Sequence, residues 1–129
     1  MKRAKRPAMP PVSEQMKAWS SALEAEIGGW PHASTRSFFG FTALYRKDKI
    51  FGMLPRTRAW ETGSSIVFKM EPLTPALRVR LEKDERIGFA LMGKTPWLTF
   101  ELSSDADLHG ALDCLGQAYE SAGKRKKSS

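Results

Sequence analysis

Residues 37–54 constrain the fold more than any other part of the chain. They read Ser-Phe-Phe-Gly-Phe-Thr-Ala-Leu-Tyr-Arg-Lys-Asp-Lys-Ile-Phe-Gly-Met-Leu. Two apolar, aromatic-rich runs flank the polar Arg46-Lys47-Asp48-Lys49, which is the pattern of a β-hairpin. Both sides of each run are largely apolar, so residues 41–45 and 50–54 are expected to be central strands with substantial cover. Gly40, set among aromatics, reads as a bulge or a close backbone approach. The stretch carries no cluster of catalytic side chains.

The flanking sequence supplies layers for this hairpin. Ser13 is a good N-cap, and Met16, Trp19, Leu23 and Ile27 recur at helical spacing. Gly28-Gly29 and Pro31 end that helix, predicted over 14–27. Residues 35–38 read as a short strand. Residues 66–70 alternate as a further strand, closed by Pro72. Thr74-Pro75 starts a second helix over 75–85. Residues 87–92 read as extended or irregular, and 97–102 as a strand. Ser104-Asp105-Ala106-Asp107 is an N-terminal helix signature. Leu108, Ala111, Leu112, Leu115, Tyr119 and Ala122 then mark one apolar face, with Gly123 closing the helix. The predicted architecture is α+β: an antiparallel sheet of four to five strands, helices on one face or at the ends, order α-β-β-β-β-α-β-α.

The chain has 129 residues, a single-domain length. The domain is expected over 13–122, between disordered basic tails at 1–12 and 123–129. No apolar run is long enough for a membrane span. The basic start is followed by Pro7, Pro10 and Pro11 rather than an apolar run, which argues against a secretory signal. One cysteine, Cys114, excludes an intrachain disulfide and fits a reducing, cytoplasmic setting. The net charge of +7 is carried by the ends. Lys2, Arg3, Lys5 and Arg6 lead the chain, and Lys124, Arg125, Lys126 and Lys127 close it. Within the body, residues 36–94 hold 12 basic and 6 acidic side chains, whereas residues 95–122 hold five acids and no Lys or Arg. Such polarity steers charged partners, unless it is neutralised within the fold.

The placed elements resemble the small α+β domains of the TfoX (Sxy) N-terminal and MmcQ/YjbR-like group. The resemblance rests on Phe38-Phe39-Gly40-Phe41-Thr42-Ala43-Leu44-Tyr45, Lys49-Ile50-Phe51-Gly52-Met53-Leu54 and Val67-Phe68-Lys69. Trp97-Leu98-Thr99-Phe100 through Leu112 and Tyr119 is also similar to the end of a small family labelled a luciferase domain, a label that does not imply light emission. The resemblance implies an antiparallel sheet flanked by helices, frequent dimers, and a non-catalytic regulatory or binding role. It brings no catalytic residues with it.

The candidate chemistry is thin. Cys114 lies five residues from His109, around and along the same helix, and reads as a structural thiol. His32, His109 and Cys114 lack metal-ligand spacing, and no metal or cofactor is expected. Acids at 105 and 107 suit a helix dipole. Arg56, Arg58 and Trp60 form the most suggestive loop, two guanidiniums and an aromatic that fit a phosphate or a base. A solvated loop with Trp60 packed back on the domain is the plainer alternative. Trp97 and Tyr45 are the candidate interface: an exposed patch if no layer covers their sheet face, and core if one does. Three functions stay open. They are a non-catalytic binding or regulatory module, in which a homodimer would fit; a nucleic-acid-associated protein using the tails and the Arg56/Arg58 loop on phosphates; and a small enzyme or binder of an anionic ligand.

Overall fold

The computed structural model describes residues 12–57, 64–71, 74–89 and 96–123. It opens on Val12, a buried core residue just before the expected boundary. Helix α1 spans Glu14–Ile27, the predicted range. Ser13 caps it, its Oγ accepting from the Met16 N–H at 3.1 Å, and Met16, Trp19, Leu23 and Ile27 are buried on one face. Strands β1 (Ala33–Phe38), β2 (Phe41–Arg46), β3 (Lys49–Pro55) and β4 (Ser65–Lys69) follow. Helix α2 is Pro75–Glu82, shorter than predicted because Lys83 already serves as its C-cap. A two-residue β5 (Ile87–Gly88), β6 (Trp97–Glu101) and helix α3 (Asp107–Gly123) complete the order.

The fold is α+β, with one six-stranded antiparallel sheet rather than four or five strands, in the order β1-β2-β3-β4-β6-β5. The extra strand is β5, too short to carry an alternation visible in sequence; it pairs Ile87 with Phe100 and Gly88 with Thr99. The predicted central place of β2 and β3 holds.

Helices α1 and α3 share one face of the sheet. Their apolar sides meet Leu44, Phe51, Leu54, Ile66, Phe68, Leu98 and Phe100 in a single core. Polar links fix the helices on it. The Trp19 indole N–H donates to Asp105 Oδ1 at 2.7 Å, joining α1 to the approach to α3. At the other end, α3 has no basic residue in its last turn. Arg46 of β2 supplies the missing cation, donating to the Tyr119 carbonyl at 3.1 Å with its guanidinium 4.2 Å from the Tyr119 ring centre.

Gly40 is not a bulge. It is the second residue of a two-residue turn: Phe38 pairs with Phe41, and Phe39 and Gly40 both have positive φ, 43° and 87°. That combination is the signature of a type I′ hairpin turn. The bulge lies in the next hairpin, where Leu44 pairs with Gly52 and Tyr45 with Ile50, leaving Phe51 as the extra residue. Gly52 therefore turns toward α3 beside Phe51, and the alternation of β3 is reset. A Cβ at Gly52 would lie 2.7 Å from Leu115 Cδ2 and 3.2 Å from the Val67 carbonyl oxygen.

On the opposite face Phe41, Ala43, Met53 and Val67 are buried as a second cluster. Tyr45, Ile50 and Trp97 are partly buried against it. Trp97 and Tyr45 are thus half-buried at the margin of that cluster. Among the described residues no helix is long and apolar enough to cross a membrane.

Candidate functional site

Among the described residues the reactive side chains do not converge. Cys114 is buried on the inner face of α3, and burial, helped by the Asp84 and Asp113 charges, pushes its thiol up to about 12. A native thiol held that high is protonated and unreactive at neutral pH. Ellman's reagent at pH 8 is accordingly expected to label Cys114 only on unfolding in denaturant; stoichiometric labelling of the native protein would contradict this burial. His109 is exposed, 3.8 Å from Asp113, and His32 lies in the turn before β1. Among the described residues no three His, Cys, Asp or Glu side chains group closely enough to hold a metal ion.

The perturbed carboxylates belong to a structural clamp. Arg86 holds Asp84 with two bonds, Nε to Oδ1 at 2.9 Å and Nη2 to Oδ2 at 2.8 Å, and reaches Asp107 Oδ1 at 2.8 Å. The second Asp107 oxygen accepts from the Ser103 and Ser104 N–H groups at 2.7 and 3.2 Å, closing the first turn of α3. The Arg86 hydrogen bond lowers the Asp84 carboxyl, and the Ser103 N–H followed by Arg86 lowers that of Asp107. Every polar atom of this set is spent on its neighbours, so it fastens β5 to α3 and leaves no acid or base for a substrate. An open groove of about 770 Å³ between α2 and α3 is lined by Met70, Leu77, Leu112 and Gly116, with Arg80 and Glu120 at its polar margin. The lining hydroxyls of Thr74 and Ser121 are bonded to backbone groups of Leu77 and Glu71.

The surface that stands out is the turn joining β1 to β2. Phe39 is 83% exposed and Phe38 44%, an edge-to-face pair with ring centres 4.9 Å apart. The turn is pinned to the end of β3, because the Arg56 and Thr57 N–H groups both donate to the Gly40 carbonyl at 2.9 Å. The Arg56 guanidinium donates to Ser37 Oγ at 2.9 Å, which ties the end of β3 to the strand residue that precedes Phe38. Further along the same edge strand, the Arg36 guanidinium lies 4.7 Å from the Tyr45 ring centre. Between residues 33 and 57 the chain carries five basic side chains and one acid, Asp48. Only Arg46 of the five has an ion pair among the described residues, with Glu120.

Of the residues singled out from sequence, Arg56 reaches this surface. Arg58 and Trp60 lie outside the described residues. Trp97 and Tyr45 sit in the second cluster, although Tyr45 supports Arg36 from below. Phe38, Phe39 and Arg36 were missed. Their signal was present: Phe39-Gly40 separates two alternating runs by two residues, the spacing of a tight hairpin with Gly at its second position. No protein-family model, no curated protein and no solved structure matches the chain.

Proposed function

We propose that the protein is a non-catalytic binding module that associates with nucleic acid through the ribbon of β1, β2 and β3. One observation carries the reading: Arg36, Lys47, Lys49 and Arg56 share this ribbon and have no ion-pair partner among the described residues. Elsewhere among the described residues Lys17, Lys69, Arg78 and Arg86 are matched with acids, and only Arg80 and Lys83 of α2 and its C-cap are not. Cations left unmatched along an extended ribbon suit a polyanion, whose phosphates repeat along its length. The basic ends of the chain, Lys2 to Arg6 and Lys124 to Lys127, add charge of the same sign. The dispersal of His32, His109 and Cys114 supports a non-catalytic role, as does the resemblance to TfoX N-terminal and YjbR-like domains. A pocket for a small anion is less well supported, since Arg56 converges with Ser37 and with no histidine or carboxylate.

The test is fluorescence anisotropy of the full chain with labelled oligonucleotides across a salt series. Four phosphate contacts on a single strand give a slope of log K against log salt of about −3, and each contact removed lowers it by about 0.7. The quadruple variant Arg36→Gln/Lys47→Gln/Lys49→Gln/Arg56→Gln is expected to lose most of that slope. Absence of binding by the wild type at low salt would sink the reading. An unchanged slope in the variant would move the contact off the ribbon.

A further inference from the structure

We propose that the Phe38–Phe39 tip is a stacking platform for an unpaired base, making the ribbon selective for single-stranded over duplex nucleic acid. This rests on the nucleic-acid reading above and assigns the class of strand it takes. Phe39 has a backbone suited to another residue type. At φ 43° a bulky side chain is strained, whereas Asn or Gly is at ease, and Asn-Gly is the preferred pair for this turn. The ring is also 83% exposed, so core packing does not offset that strain. A large aromatic held out at a position that disfavours it points to an external contact.

The surroundings suit a base. Phe38 meets Phe39 edge to face, with ring planes 67° apart, which braces the outer ring while most of its surface stays exposed. Two N–H groups on the Gly40 carbonyl hold the turn still. Arg56, fixed by Ser37, stands ready for an adjoining phosphate. Stacking on such a ring requires a base whose face is free, which a duplex interior does not offer.

An anionic lipid surface would also accept exposed phenylalanines next to arginines. The distribution of charge decides against it. Lys47 and Lys49 lie at the far end of β2 from Phe39. A six-residue strand spans roughly 20 Å. With the tip inserted, those lysines would stand about two Debye lengths from the headgroups at physiological salt. A single strand laid along the ribbon meets the aromatic tip and the lysine turn together.

The experiment compares wild-type full chain with Phe39→Asn against three probes: labelled oligo(dT), a duplex of equal phosphate number, and vesicles of mixed phosphatidylserine and phosphatidylcholine. Wild type is expected to bind oligo(dT) more tightly than duplex. Phe39→Asn, which fits the turn, is expected to weaken oligo(dT) binding by roughly 5- to 150-fold, the loss of one stacked base, with the duplex affinity and salt slope unchanged. Phe39→Trp should retain the preference. Phe39→Gly serves as a second strain-free variant if Asn fails to fold. Equal affinity of wild type for oligo(dT) and duplex, or an unaltered oligo(dT) affinity in Phe39→Asn, overturns the platform while the phosphate reading stands. No binding to either oligonucleotide overturns that reading too. Vesicle binding lost in Phe39→Asn, without oligonucleotide binding, assigns the tip to lipid and overturns the inference.

Discussion

Phe51→Ala is expected to cost ~3–5 kcal/mol and lower the melting temperature by roughly 10–20 °C. Phe51 is fully buried. It stacks on Trp30 with ring centres 6.4 Å apart and meets Tyr119 edge-on at 5.6 Å. Trp30 and Tyr119 are themselves 5.0 Å apart, and the Tyr119 hydroxyl donates to the Pro31 carbonyl at 2.6 Å. Removing the ring leaves a cavity bounded by two aromatics that are held from behind and cannot close inward. The loss is a large share of the ~5–15 kcal/mol available to a domain of this kind. Phe51→Leu, which refills most of the volume, should cost far less. Thermal denaturation followed by near-UV circular dichroism reads both variants, and near-native melting of Phe51→Ala would show that this aromatic triad does not hold the core.

The neighbouring residue fails in the opposite sense. A side chain at Gly52 gains ~0.5–1 kcal/mol of backbone entropy relative to glycine. Its Cβ would meet Leu115 Cδ2 at 2.7 Å, Leu44 Cδ1 at 3.2 Å and the Val67 carbonyl oxygen at 3.2 Å. Two of these are core side chains and the third is backbone, so overpacking at ~1–3 kcal/mol outweighs the gain. Gly52→Ala is therefore expected to be destabilised by about 1–2 kcal/mol, and Gly52→Val by more. Shortening the opposing residue should relieve the clash. In urea titrations Gly52→Ala added to Leu115→Ala is expected to cost less than in the wild-type background, a coupling of ~1 kcal/mol or more. Strict additivity would show that the contact is not the cause.

Much of the architecture was legible because it depends on local patterns. The α1 boundaries followed from Ser13 and Gly28, and the α3 face from the spacing of Ala111, Leu115 and Tyr119. Where chain geometry departed from a simple period, sequence reasoning slipped. The bulge at Phe51 puts two consecutive residues toward α3, so an alternation counted from Ile50 misplaces Met53. Gly40 misled in turn: a glycine between phenylalanines fits a bulge as well as a turn, and its neighbour's positive φ is a property no bulky residue advertises. The cover over Val67 and Ala43 was undecidable from strands that read apolar on both sides. The candidate surface was half visible. Arg56 stood out for its charge, while Phe39 drew no assignment because hydrophobicity alone cannot distinguish a buried ring from a presented one.

The two borders of the sheet are unequal: β1 runs for six residues and β5 for two. Fibre growth by strand addition needs a long, open border on each side of every subunit, so that copies can add head to tail without end. Among the described residues only one border is long. A strand added along β1 would find no border of equal length at β5 from which to continue, so the described sheet is a poor template for open-ended growth even though β1 carries no proline.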